Sequence, residues 1–212
     1  MKIGIYGGSF DPLHLGHLNL AAEIMEAHAL DQVWFCPAAC NPHKNCHNLV
    51  SAEYRLKMIR LAIENEPRFF VSEIEINRKG LSYTIETLNE LIALQSGKEN
   101  PDSFALILGE DSARSFHQWH QPEAIIECAQ LLIGRRNSGE GVSKAFEGSP
   151  TIVEAINRGL TQTRVMEISS HEIRTRLLNK KYCYHLVPGK VLDYINTNGL
   201  YSIELNESAR FL

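Results

Sequence analysis

Two histidines three residues apart, His14 and His17, stand directly behind two glycines and a serine in GGSFDPLHLGH, residues 7 to 17. An imidazole can donate a hydrogen bond to a phosphoryl oxygen, and negative charge nearby favours its protonated form. At this spacing both rings fall on one side of a helical first turn. Gly7 and Gly8 let backbone approach a bulky anion and aim several N–H groups at it. A histidine pair by itself is more often a helix cap or polar filler. Behind a strand and a Gly-Gly-Ser turn, it points to the handling of phosphate charge.

Other residues along the chain suit the same chemistry. Lys44, in a loop after the second apolar run, is a point cation able to reach a polyphosphate. Arg174 lies one turn into a helix that opens with Ser169 and Ser170. Hydroxyls, a positive helix end and a guanidinium fork would make a second phosphate seat there. Asp111 follows the run SFALILG, where a carboxylate can accept from ribose hydroxyls or cap the next helix. Trp119 sits in a polar stretch between His117 and His120, so its ring can serve the core or stack on a pyridine ring. Thr84 can cap the helix it begins.

Strand and helix patterns alternate around these residues. KIGIY (2–6), QVWFCP (32–37), RFFVSEIEI (68–76), SFALILG (103–109), AQLLIG (129–134) and a run ending near Ile168 predict six strands. Helices are expected at about 17–28, after Ser51 with Tyr54, Met58 and Leu61 on one face, and through Ile85, Leu88 and Ile92. Ser169 with Glu172 three residues on is a capping-box signature, and Pro188 suits the first turn of a last helix ending near Gly199. The weakly patterned stretch 137–162 reads as loop with some helix. Strand–helix alternation at this spacing predicts an α/β doubly wound parallel sheet covered on both faces. In such a sheet the first strand-to-helix turn is the usual phosphate seat, with the next helix presenting its positive end to it.

Composition narrows the classes. The chain has 212 residues, 44% of them hydrophobic, enough for one sizeable core. A net charge of −4 argues against a nucleic-acid partner, whose phosphates call for a basic surplus. The absence of a long apolar run argues against a membrane partner, and the N-terminus does not read as a signal peptide. Five cysteines at irregular spacing suit reduced thiols in the cytoplasm. The run Cys36, Cys40, His43, Cys46, His47 has no common zinc spacing and no second ligand pair downstream.

The eleven-residue stretch closely resembles the signature of the nucleotidyltransferase superfamily with the HxGH motif, in the form typical of bacterial nicotinate-nucleotide adenylyltransferases. The resemblance spans nearly the whole chain: NPHK (41–44) is similar to a PPHK loop, SYTIETL (82–88) to SYTxxTL, and LGEDSARSFHQW (108–119) to a GxD segment followed by tryptophan. ISSHEIR (168–174) is similar to ISSTxIR, and VPGKVLDYINTNGLY to the family's C-terminus. It implies a Rossmann-like nucleotidyltransferase fold in one domain over 1–212, with 169–212 as a helical C-terminal subdomain. It also implies adenylyl transfer from ATP to nicotinate mononucleotide, with Mg²⁺ carried in by ATP. The catalytic residues would be His14, His17, Lys44 and Arg174. ATP would be held by Gly7, Gly8, Ser9, Phe10, His14, His17, Gly109, Asp111, Ser169, Ser170 and Arg174. The mononucleotide would meet Lys44, Thr84, Trp119 and His120. Two positions depart from the pattern: His171 replaces the motif threonine and Asn41 its first proline. Both bear on pocket shape rather than on an assigned catalytic group. A transferase for phosphopantetheine or cytidylyl substrates, and a nucleotide sensor without turnover, are the rival readings. Oligomeric state is left open.

Overall fold

Short apolar runs form strands that must be covered on both faces, and in the computed structural model six of them make one parallel sheet. The structure describes residues 1–42, 49–135, 145–164 and 166–202. β1 (Lys2–Gly8), β2 (Gln32–Pro37), β3 (Phe69–Val71), β4 (Ser103–Gly109), β5 (Gln130–Arg135) and β6 (Leu160–Gln162) lie in the order β3-β2-β1-β4-β5-β6. The chain reverses its direction of winding between β1 and β4, the place where open α/β sheets bind ligands.

Alternation along the strands divides the core. Phe104, Leu106 and Leu108 of β4 face one layer, with α4 (Thr84–Ala93), α6 (Pro122–Cys128) and α7 (Pro150–Gly159) supplying Leu88, Ile125 and Ile156. Ala105 and Ile107 face the other, beneath α1 (Leu15–Ala27) and α2 (Ala52–Ile63), with Ile24, Met25 and Ile59. A third cluster joins the far side of α2 to α8 (Ser170–Leu178) and α9 (Gly189–Thr197) through Met58, Ile173, Val191 and Ile195. Tyr54 and Leu61 pack there too, so the predicted Tyr54–Met58–Leu61 face holds the C-terminal helices rather than the sheet. Among the described residues, no helix is long and apolar enough to cross a membrane.

Four sequence expectations are corrected. The β-rich stretch 68–76 is a strand only over Phe69–Val71; α3 (Ile74–Arg78) follows as a short helix. That helix turns Glu75 inward, where the Thr87 hydroxyl donates to it at 2.9 Å, an arrangement that Ile-Glu-Ile alternation does not reveal. The sixth strand is Leu160–Gln162 rather than the run ending near Ile168. Gly159 sits so close to β5 that an added Cβ would lie 2.3 Å from the Leu131 carbonyl oxygen, and the chain passes directly from α7 into pairing with Ile133. On α4, Leu91 is the buried residue and Ile92 is exposed. Cys36, Cys128 and Cys183 are free thiols, whereas Cys40 is disulfide-bonded, so the reading of all five as reduced does not hold there.

Candidate active site

The β1–α1 turn folds one of its own side chains into the core. Phe10 adopts a left-handed φ of 47° and turns its ring inward, 2% exposed. There it packs edge-on against Tyr6 and Phe35, and against the His17 ring at a centroid distance of 5.1 Å. With that ring in the core, the Phe10 side chain is not free to line a ligand site, and only its backbone is left for the expected role. The two glycines do different work. A Cβ on Gly8 would press on the Phe10 ring at 3.1 Å, whereas one on Gly7 would meet nothing within 4 Å, leaving open space above the turn.

His14 is the N-cap of α1, buried, with its ring stacked on that of His17 at 3.6 Å between centroids and 23° between planes. The His14 amide donates to Nδ1 of His17 at 3.3 Å. Burial pushes the His14 pKa down to about 4, so without ligand its imidazole is neutral at pH 7. Its Nδ1 is buried and without a hydrogen-bond partner, as is the Ser9 hydroxyl in the same turn. Orphaned polar atoms of this kind cost about 1–3 kcal/mol unless a partner arrives. Gly16, the small residue inside HxGH, was not singled out from sequence. An added Cβ there would lie 3.1 Å from His14 Nδ1, so the glycine makes room for the buried ring.

The second expected phosphate seat lies beside the first. Ser169 is the N-cap of α8, its hydroxyl accepting from the Glu172 amide at 3.1 Å, as the capping pattern predicts. The Ser170 hydroxyl donates to the Pro12 carbonyl at 2.9 Å, and Arg174 Nη1 donates to the Asp11 carbonyl at 2.6 Å. Ser170 and Arg174 are therefore fastened to the segment just before His14. Sequence reasoning also missed the buried groups beneath. Arg55, 2% exposed, donates to the carbonyls of Ser9 (2.9 Å), Ala38 (2.8 Å) and Val50 (3.2 Å). Asp11 accepts from the Tyr201 hydroxyl at 2.7 Å. No local pattern signals these contacts, of which those to Ser9, Ala38 and Tyr201 join residues well separated in the chain.

A small pocket is lined by Asn41, Pro42, Ser82, Tyr83, Thr84, Trp119, His120 and Ile125. It thus gathers Thr84, Trp119 and His120. Trp119 packs on Phe116 with ring centroids 5.3 Å apart, as a core residue does, and also lines the pocket. His120 lies against Tyr83, ring centroids 4.6 Å apart. The pocket joins the phosphate turn through consecutive residues: the Ala38 amide donates to the Gly8 carbonyl at 2.9 Å, and the Ala39 amide to the Ser82 hydroxyl at 2.9 Å. Gly109 ends β4 at the reversal of the sheet, and Asp111 is exposed in the first turn of α5 (Glu110–Arg114). Lys44, with His43, Cys46 and His47, lies outside the described residues. Among the described residues, no group of three or more His, Cys, Asp or Glu is placed to hold a metal ion.

Comparison with known proteins agrees with this geometry. A cytidylyltransferase-like family model matches residues 5–176. A probable nicotinate-nucleotide adenylyltransferase of Salinibacter ruber is 37% identical over 203 residues, covering 95% of this chain and 98% of that one. The corresponding protein of Borreliella burgdorferi is 34% identical, covering 97% and 100%. In fold, the chain is similar to the nicotinic acid mononucleotide adenylyltransferase of Plasmodium falciparum, solved with NaAD. The TM-score is 0.72 at 20% identity, over 94% of this chain and 97% of that one. The chain belongs to the cytidylyltransferase-like family and, within it, to the nicotinate-nucleotide adenylyltransferases.

Proposed function

We infer that the protein transfers the adenylyl group of ATP to nicotinate mononucleotide, yielding nicotinate adenine dinucleotide and pyrophosphate in NAD biosynthesis. The observation that carries this reading is the stacked His14–His17 pair at the head of α1, joined through Ala38 and Ala39 to a pocket lined by Trp119.

The 5′-phosphate of the mononucleotide is already a competent nucleophile. Its oxygen bonds to the α-phosphorus of ATP while the bond from that phosphorus to the bridging oxygen breaks, and the electron pair leaves with pyrophosphate. The protein's work is to align the two phosphates and to stabilise the charge of an in-line displacement. Backbone amides of Gly7, Gly8, Ser9 and Phe10 and the imidazoles of His14 and His17 take the phosphates near the reacting centre. An arriving triphosphate supplies the acceptor that buried His14 lacks and favours its protonation. Ser169, Ser170, Arg174 and Lys44 spread the charge of the leaving pyrophosphate, and Gly109 and Asp111 meet the ATP ribose. Trp119 stacks on the pyridine ring beside Thr84 and His120. Mg²⁺ would accompany ATP as its counter-ion and would help to neutralise the phosphate charge. We place the reaction in the cytoplasm and treat the chain as one nucleotidyltransferase domain with a helical C-terminal part.

The test is incubation of purified protein with ATP, Mg²⁺ and either nicotinate or nicotinamide mononucleotide, following dinucleotide and pyrophosphate. Product with the nicotinate form and little with the amide is the expected result. Folded protein that binds ATP but forms neither dinucleotide overturns the reading.

A further inference from the structure

The C-terminal turn reaches back into the active site at a single carboxylate. Asp11 is 1% exposed, and its two oxygens are used differently. Oδ1 accepts the Tyr201 hydroxyl at 2.7 Å across 190 residues of sequence. Oδ2 is buried without a hydrogen bond and lies 3.6 Å from Nη1 of Arg174, which instead donates to the Asp11 carbonyl at 2.6 Å. The remaining groups facing this carboxylate are Arg55 and the Val50 amide. Tyr201 itself holds a left-handed φ of 62°, a conformation that costs a non-glycine residue energy and persists only where surroundings impose it.

A carboxylate with both oxygens open binds guanidinium through two parallel hydrogen bonds, the strongest arrangement available to that pair. Asp11 and Arg174 stand beside each other without making it. We propose that Tyr201 is a positioning residue for adenylyl transfer: by occupying one oxygen of Asp11, its phenol stops that carboxylate from capturing Arg174 and keeps the guanidinium available to the phosphates of ATP. The inference rests on the phosphate role given to Arg174 above. The Asp11 carbonyl that accepts from Arg174 lies three residues before the His14 cap, so the phenol acts beside both candidate phosphate seats.

Steady-state kinetics on Tyr201→Phe, Asp11→Asn and Arg174→Ala, with melting temperatures alongside, test it. Tyr201→Phe removes one oxygen and no ring surface. It is expected to raise KM for ATP roughly tenfold or more, the size of one charge-assisted hydrogen bond. KM for nicotinate mononucleotide should stay within about twofold, well under one such bond. In an Asp11→Asn or Arg174→Ala background the same change should leave KM for ATP where that background set it. A lower melting temperature with unchanged KM for ATP, equal rises for both substrates, or an effect that survives in Asp11→Asn overturns the proposal. If Tyr201→Phe does not fold, Asp11→Asn alone decides. The freed Arg174 should leave KM for ATP no higher than wild type, and a selective rise overturns the proposal. Should Arg174→Ala itself leave KM for ATP unchanged, the phosphate role of Arg174 falls and this inference with it. A normal Arg174 effect beside a silent Tyr201→Phe removes this inference alone.

Discussion

The imidazole of His14 lies on that of His17 with centroids 3.6 Å apart, and burial keeps the inner ring neutral at pH 7. Two imidazolium ions at this separation would repel each other, so the ligand-free pair carries no more than one charge. The outer ring is half-buried and packs edge-on against Phe10.

Removing that outer ring takes away one preorganised donor. His17→Ala should lower the rate of dinucleotide formation by on the order of 10²–10³, while circular dichroism and melting show a folded protein. Near-normal turnover from the folded variant would contradict the assignment.

The neutral state of His14 has a consequence for stability. Its native pKa of about 4 lies below the ordinary value of 6.5, so between these limits the unfolded chain binds the extra proton. Stability from this residue is therefore full above pH 6.5 and is lost as pH falls toward 4, by up to about 3 kcal/mol. Burial raises the carboxyl pKa values of Asp11 and Glu75, which act in the opposite sense. The difference between wild type and His14→Gln isolates the histidine. Urea unfolding across pH 4–7 should show the variant losing less stability on acidification; parallel curves would count against a buried neutral ring.

Gly16→Ala adds a methyl group 3.1 Å from His14 Nδ1 on a helix that alanine otherwise favours. We expect turnover to fall about tenfold or more through a displaced donor, with the melting temperature close to wild type. Unchanged turnover would show that the ring can shift without cost to the chemistry.

Trp119 is expected to act on one substrate only. Ring stacking is worth about 1–3 kcal/mol, so Trp119→Ala should raise KM for nicotinate mononucleotide roughly 5- to 150-fold. Trp119→Phe should recover most of it, and KM for ATP should barely move in either. Equal rises for both substrates would mean that the Phe116 contact, not stacking, is what the alanine removes.

The sheet was legible because buried parallel strands leave unbroken apolar runs: QVWFCP and SFALILG match β2 and β4 residue for residue. α3 was misread because five residues show no helical period, and β6 because three residues show none at all. Within the site, the residues of local motifs could be read: His14, His17, Ser169 and Trp119 carry their signals within a dozen neighbours. Gly16 lay in plain view inside HxGH, but its reason is a contact with a folded-back ring. Arg55, Asp11 and Tyr201 carried no such signal, since their meaning comes from partners 46 and 190 residues away.

Those distances matter for how the enzyme comes into being. The segment from Asp11 to Leu15 stands at the head of α1, yet it is bonded by Ser170, Arg174, Leu186 and Tyr201, far along the chain in and beyond α8. A nascent chain can lay down β1 to β5 and bury both sheet faces while the phosphate turn still lacks its opposite wall. The order of the sheet and the order of the turn are thereby separate matters: a chain that stops before Ser170 keeps every strand and loses four bonds to the turn before α1.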